Sequence, residues 1–91
     1  MAEPNVSLRE AVEAARMFLM GLQGFIGGLS KDEIWLEEIE LSEDKHYWRI
    51  TMSFPRPVDN PLVPTQQQRD YKLFEISTVT GEVKAMRIRT L

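Results

Sequence analysis

The first periodic pattern along the chain is that of a helix. Apolar residues recur at spacings of three and four over residues 8–22, with polar residues between them. Ser7 and Glu10 have the spacing of a capping box, in which each side chain accepts the main-chain amide of the other residue. The glycines that follow disfavour a longer helix. We therefore expect one amphipathic helix that begins at Leu8 and ends within segment 21–27.

Two alternating segments come next and predict a hairpin. Residues 34–41 read as a strand whose alternation is interrupted, so we expect a β-bulge near Glu37 and Glu38. Residues 46–54 alternate without interruption. Their large apolar members should share one face: Trp48, Ile50, Met52 and Phe54. A tight turn at Asp44-Lys45 would place Glu40 opposite Arg49 and bring the neighbouring apolar pairs together on the core face.

The clearest hairpin lies at the end of the chain. Two alternating runs, 71–77 and 83–89, flank the segment Val79-Thr80-Gly81. A three-residue turn with Gly81 in the left-handed region pairs Phe74 with Met86 and Lys72 with Ile88. This register assigns four side chains to the core face: Phe74, Ile76, Met86 and Ile88.

A proline-containing segment separates the two hairpins. Residues 55–68 carry four prolines, which remove main-chain donors and exclude a central strand. We expect a long loop there, and such loops in small domains are often functional or disordered. The order of elements predicts an α+β fold in which one N-terminal helix packs on a four-stranded antiparallel β-meander, with the opposite sheet face in water. Residues 1–6 are expected to be a flexible N-terminus, and residues 7–91 a single domain.

Composition narrows the classes of function. A chain of 91 residues without cysteine cannot form disulfides or thiolate zinc sites, and it fits a reducing compartment. The net charge of −3 argues against a nucleic-acid binder, and no apolar run is long enough to span a membrane. His46, the single histidine, should lie exposed beside a turn. We expect a cytoplasmic protein with no catalytic residues, no metal, no cofactor, and neither nucleic acid nor membrane as a partner.

Some residue types on the strands could carry chemistry, and each also has a structural interpretation. The carboxylates Glu37, Glu38 and Glu40 could hold a hard cation or act in acid–base catalysis. On an exposed strand, however, such residues usually provide solvation and protect a sheet edge. Trp35 and Trp48 could stack on a ligand, or they could anchor the core.

Two segments of the sequence resemble PepSY-like domains. Segment 8–15, LREAVEAA, is similar to the opening of that family's helix, and segment 74–83, FEISTVTGEV, is similar to its last hairpin. The predicted topology also resembles that of small immunity proteins of bacterial toxin systems and, more distantly, of cystatin-type inhibitors. The resemblance implies a non-catalytic module that binds another protein.

The expected function is therefore that of a small protein-binding module, of the inhibitor, immunity or accessory-subunit type. Its expected partner is a protein with a basic surface, drawn to the acidic strand 34–41. The predicted contact residues lie in loop 55–68 and in that strand: Val58, Asp59, Leu62, Val63, Glu37, Glu38 and Glu40. Two alternatives remain open. One is a homodimeric structural module that pairs through a sheet edge or through a helix face including Met17 and Met20, and the other is a shallow small-ligand binder.

Overall fold

The structure, a computed structural model, describes residues 5–22, 31–55 and 69–89. Within these ranges the chain forms one α-helix, a short 3-10 turn at Lys31–Glu33, and four strands. These elements are α1 (Leu8–Gly21), β1 (Trp35–Leu41), β2 (Tyr47–Pro55), β3 (Arg69–Ser77) and β4 (Val83–Ile88). The strands form one antiparallel sheet in the order β1-β2-β3-β4, and α1 packs on one side of it. The predicted α+β fold is confirmed. We call the side covered by α1 the helix face and the opposite side the back face.

Helix α1 begins with the predicted capping box. The Ser7 hydroxyl accepts the amide of Glu10 at 3.2 Å, and the Glu10 carboxylate accepts the amide of Ser7 at 3.0 Å. The hydrogen bond from the Ser7 main chain, followed by that of its hydroxyl, holds the pKa of Glu10 below its usual value. The helix ends at Gly21, within the predicted segment. Ala11 and Ala15 are fully buried, so their small side chains allow α1 to lie close to the sheet.

The first hairpin has the predicted register. Glu40 lies opposite Arg49, and the apolar pairs on either side of it meet as expected. The register shifts within β1 at Glu37, where the bulge is predicted. Lys45, in the connecting turn, has a positive φ of 62°, which a tight reversal of the chain requires. The pattern of alternation and the position of the turn therefore determine this hairpin.

The second hairpin has the predicted register away from its turn. Phe74 lies opposite Met86, and Lys72 lies opposite Ile88. Next to the turn the pairing differs by one residue, because Ile76 pairs with Val83 and the amide of Ser77 donates to the carbonyl of Glu82 at 2.9 Å, so four residues, 78–81, form the turn instead of the predicted three. Gly81 has a φ of 77°, in the left-handed region that glycine adopts without steric cost. The glycine therefore occupies the turn position that the sequence predicts.

The hydrophobic core lies between α1 and the two central strands. Its largest fully buried apolar side chains are Phe74, Leu19, Ile50, Met52 and Ile76. Trp48 packs against this cluster and donates its indole N–H to the carbonyl of Val6 at 2.9 Å, which confirms its assignment as a core anchor. Val6 is itself buried, and its amide donates to the carbonyl of Thr78 at 2.9 Å. Val6, which the sequence assigns to a flexible N-terminus, is therefore part of the packed structure, and the prediction is wrong for this residue.

The helix face is not covered over its full width. Met86 and Ile88 lie on the same face as Phe74, yet they are 37% and 79% exposed. The prediction that both belong to the core is therefore wrong. A helix is about 10 Å wide and strands lie about 4.8 Å apart, so one helix covers about two strands. The buried apolar residues within the strands all belong to β2 and β3, and β4 lies at the margin of the helix, with only Val83 packed against the core.

No helix in the described part of the chain is long and apolar enough to cross a lipid bilayer.

Candidate interaction surfaces

The predicted contact residues fall into two groups. Those of the loop, Val58, Asp59, Leu62 and Val63, lie outside the described residues. The other three, Glu37, Glu38 and Glu40, belong to β1, at one edge of the sheet, and their side chains are exposed. Their hydrogen bonds and ion pairs with other side chains lie on the back face.

Glu38 forms an ion pair that crosses the back face. Its carboxylate accepts a hydrogen bond from Arg89, which follows β4, at 2.8 Å. The two outer strands are separated by β2 and β3, a distance of about 14 Å at the usual strand spacing. Both side chains therefore extend over the small residues of the central strands, and Thr51 and Ser53 are only 2% and 0% exposed. The expectation that the back face lies in water is wrong at its centre.

Arg69, the first residue of β3, links β3 to β2 and to the segment before β1 on the back face. Its guanidinium donates to the hydroxyl of Ser53 at 2.9 Å, to the Ser53 carbonyl at 3.0 Å, and to the Glu33 carbonyl at 2.7 Å. The Ser53 hydroxyl in turn donates to Glu37 at 2.5 Å. The Arg69 guanidinium also lies 3.5 Å from the centre of the Trp35 ring, in cation–π geometry. Trp35 is half exposed, so it anchors this polar cluster and not the hydrophobic core.

Two more ion pairs lie on the back face. Glu40 lies 3.8 Å from Arg49, and Glu75 accepts a hydrogen bond from Arg87 at 2.9 Å. Two of the three carboxylates of β1, Glu38 and Glu40, are thus paired with arginines of the same chain. Exposed ion pairs contribute only about 0–1 kcal/mol each, so a partner could still compete for them. This internal balance reduces the capacity of β1 to attract a basic surface.

An open groove of about 570 Å³ lies beside the first hairpin and includes Glu40, Asp44 and Arg49 in its lining. The Asp44 carboxylate accepts the Ser42 hydroxyl at 2.6 Å and the His46 amide at 3.0 Å. These bonds close the turn and give Asp44 a structural role. His46 is exposed beside the turn, as predicted. In the ranges that the structure describes, no cluster of three or more His, Asp or Glu side chains could hold a metal ion.

The hydrogen bonds of Asp44 predict how its turn responds to pH. The Ser42 hydroxyl, and then the His46 amide, hold the pKa of Asp44 below its ordinary value of 3.8. Because the folded-state pKa lies below that of the unfolded chain, the ionised turn stabilises the fold above pH 3.8, and this contribution is lost as pH falls through the folded-state pKa. We expect Ser42→Ala to raise the pKa of Asp44 toward its ordinary value.

The titration of the Asp44 carboxyl carbon by NMR measures this change. Ser77→Ala is the matched control. Ser77 is the last residue of β3, and its hydroxyl accepts the amides of Val79 and Thr80 in the other hairpin, so it makes a comparable turn contact that does not involve Asp44. An unchanged Asp44 titration in Ser42→Ala would contradict the assignment of the Ser42 hydroxyl as the main cause.

The helix face carries an exposed apolar patch beside β4. Phe18, Met86 and Ile88 are 39%, 37% and 79% exposed. The ring of Phe18 packs edge-on against Phe74 at 6.2 Å between centroids, and Phe74 is the strand partner of Met86. We call these three exposed side chains, which lie around Phe74 on α1 and β4, the β4 patch. The periodicity of the sequence predicts that Phe18, Met86 and Ile88 all face the core, but it does not show how much of the sheet α1 covers.

The helix surface that the sequence offers for self-pairing is only partly available. Met17 is 71% exposed, whereas Met20 is partly buried and packs against the core. The prediction that both methionines lie on an exposed helix face is therefore wrong for Met20. Homodimer formation itself stays a prediction.

Comparisons of the chain with protein-family models, with curated proteins and with solved structures found no match. The resemblance to PepSY-like domains and to immunity proteins of similar topology therefore stays a prediction, based on segments 8–15 and 74–83.

Proposed function

We propose that this chain is a small, non-catalytic, cytoplasmic module that binds another protein, of the inhibitor, immunity or accessory-subunit type. The observation that carries the proposal is the β4 patch, in which large apolar side chains lie exposed next to one another at the edge of the sheet. Burial of apolar surface contributes about 25 cal/mol per Å², and contiguous exposed apolar surface is typical of protein interaction sites. The cytoplasmic location rests on the absence of cysteine.

The surfaces expected from the sequence have different parts in this proposal. Loop 55–68, with Val58, Asp59, Leu62 and Val63, remains a candidate for apolar contacts. The carboxylates of β1 already face arginines or the Ser53 hydroxyl of the same chain. They lie on the back face, at the opposite edge of the sheet from the β4 patch, so they are a separate candidate surface for charged contacts, while the β4 patch supplies the apolar contact.

A binding experiment with two matched variants tests this proposal. Ile88→Asp and Met17→Asp each replace an exposed apolar side chain with a carboxylate, and only Ile88 belongs to the β4 patch. Proteins captured from native-cell extract by the wild-type chain would be purified, and their affinities measured by calorimetry. We expect Ile88→Asp to weaken binding by at least about tenfold, which is 1.4 kcal/mol, and Met17→Asp to leave it nearly unchanged.

Two outcomes would contradict the proposal. One is equal affinity of the wild-type chain and Ile88→Asp for every purified candidate. The other is that no captured protein binds the purified chain directly. Thermal unfolding of both variants must match that of the wild-type chain, so that a lost interaction reports on the surface and not on the fold.

A further inference from the structure

The two edges of the sheet differ in how well they could accept another strand. β1 is interrupted by the bulge at Glu37 and carries exposed carboxylates on its back-face side. Bulges and charges are the usual means of protecting an edge strand from further pairing. The pairing of β3 with β4 also has a register shift, but it lies at the start of β4, opposite Glu75 and Ile76. From Ala85 to Ile88 the pairing is regular. β4 carries basic side chains too, but its ladder is regular over these residues, so among the described strands it is the edge more open to further pairing.

The main chain of β4 presents hydrogen-bonding groups to its outer side. The amide of Arg89 donates to the carbonyl of Tyr71 at 3.0 Å, so the main-chain amide of Arg89 is directed toward β3. Main-chain direction alternates along an antiparallel strand, so the amides and carbonyls of Met86 and Ile88 are directed away from β3. No other described strand pairs with this edge. An incoming strand would find donors and acceptors at the spacing of a sheet ladder.

The side chains of β4 alternate between apolar and basic. Met86 and Ile88 lie exposed on the helix face, and Arg87 and Arg89 lie on the back face. Residues opposite one another on neighbouring strands have Cβ atoms about 4.5–5.5 Å apart and interact directly. The complementary strand would therefore place apolar side chains beside Met86 and Ile88, and a carboxylate beside Arg87.

A second copy of the chain is a poor occupant for this edge. Two β4 strands paired with each other would bring together Lys84, Arg87 and Arg89 of both copies, and like charges on facing strands are destabilising. Pairing of β4 with the acidic β1 of another copy would meet the bulge at Glu37. Such a head-to-tail contact would also propagate into an open assembly unless its rotation closed a ring. Charge and geometry therefore favour a different chain.

We propose, building on the protein-binding function above, that β4 binds an extended segment of the partner as a fifth strand. The segment alternates apolar and acidic residues. Main-chain hydrogen bonds to Met86 and Ile88 provide the pairing. The β4 patch selects the apolar side chains, and Arg87 selects the acidic ones, because the Arg89 side chain extends inward to Glu38. Exposed Arg87, whose side chain is 65% accessible, can contact a carboxylate while its Nε remains bonded to Glu75.

The test uses the full chain and capped peptides of defined chemistry. One peptide alternates valine and glutamate, and its control alternates valine and lysine. Amide chemical shifts of the chain are followed by NMR during titration. We expect saturable binding of the valine–glutamate peptide, with the largest shifts at Met86 and Ile88. Binding of the valine–lysine peptide should be at least about tenfold weaker, and Arg87→Glu should reverse this preference.

A second pair of variants separates main-chain pairing from side-chain contact. Ile88→Pro removes both the side chain and the outward amide, whereas Ile88→Ala removes the side chain and keeps the amide. We expect Ile88→Pro to bind the valine–glutamate peptide at least about tenfold more weakly than Ile88→Ala. In both variants the amide signal of Arg89 must remain protected by its bond to Tyr71, which shows that the β3–β4 ladder is intact.

Several outcomes would overturn strand addition: no saturation by the peptide, equal affinity for the two peptides, equal affinity of the two Ile88 variants, or shifts that do not involve β4. A concentration-dependent mass by light scattering, with shifts at Met86 and Ile88 in the absence of peptide, would replace the proposal with self-pairing. If the peptide does not bind, while Ile88→Asp still weakens the binding of a purified partner, only strand addition is rejected. If the partner also binds Ile88→Asp normally, the protein-binding function assigned to the β4 patch is rejected as well.

Discussion

Replacing Phe74 with alanine should lower the free energy of unfolding by about 3–5 kcal/mol, the cost usual for truncating a buried aromatic side chain. Phe74 is fully buried at the centre of β3, between Ile50 on β2 and Met86 on β4. Its ring also supports Phe18 of α1 by an edge-on contact. The substitution therefore leaves a cavity where helix and sheet meet, and it removes the support beneath the β4 patch.

Urea denaturation followed by far-ultraviolet circular dichroism measures the loss, with two controls. Phe74→Leu keeps most of the volume and should cost less than about 1.5 kcal/mol, so it gives a measurable value if Phe74→Ala does not fold. Phe18→Ala removes the same ring from a position that is 39% exposed, so its cost should be well below that of Phe74→Ala. Equal costs for Phe18→Ala and Phe74→Ala would contradict the placement of the core between α1 and the central strands.

Replacing Arg69 with alanine should lower the free energy of unfolding by about 2 kcal/mol, because it removes charge-assisted hydrogen bonds and a cation–π contact together. The guanidinium donates to two main-chain carbonyls and to the hydroxyl of Ser53, a fully buried residue. Without it, the Ser53 carbonyl and hydroxyl lose their partner from β3. The stacked face of Trp35 also becomes accessible to water.

Denaturation and tryptophan fluorescence together test the role of Arg69. Emission from Trp35 should shift to longer wavelength in Arg69→Ala, and a Trp35→Phe background should remove that shift, since Trp48 packs against the core. Arg87→Ala is the matched control on the same face, because Arg87 makes an exposed ion pair with Glu75 that is worth about 0–1 kcal/mol. Equal and small losses for both arginines would show that Arg69 does not hold the back face together.

The two faces of the sheet are thus covered in different ways. The helix face buries large apolar side chains under α1. The back face buries Thr51 and Ser53 under charged side chains that reach inward from both edges, above all Glu38 and Arg89. Small polar residues suit this second arrangement, because a hydroxyl can exchange hydrogen bonds with the charged groups above it, as Ser53 does. A small domain gains a second packed layer in this way without a second helix.

Local features of this protein could be predicted from the sequence because short segments determine them. The capping box depends on two residues three positions apart, Ser7 and Glu10. The bulge at Glu37 appears as an interruption of strict alternation. In the last hairpin, alternation gives the pairing of Phe74 with Met86, and Gly81 takes the predicted left-handed conformation, although the turn has four residues and not three.

The candidate surfaces could be predicted only in part. The exposure of the carboxylates of β1 was predictable, but their arginine partners were not, because Glu38 and Arg89 are 51 residues apart in the chain. The Arg69 cluster had no sequence signal beyond the presence of an arginine and a tryptophan. The β4 patch was assigned to the core, since alternation gives the direction of a side chain and not the presence of a neighbour above it.

Local patterns in the sequence are enough to predict which segments form the helix and the strands, where each turn lies, and which side chains share a face. The extent to which α1 covers β2 and β3 and leaves β4 at its margin, and the meeting of charged residues from both edges over Thr51 and Ser53, become visible only in the folded chain. The difference arises from the distance along the chain over which each property is set. Secondary structure and register depend on residues a few positions apart, whereas burial and ion pairing depend on the width of one layer relative to another.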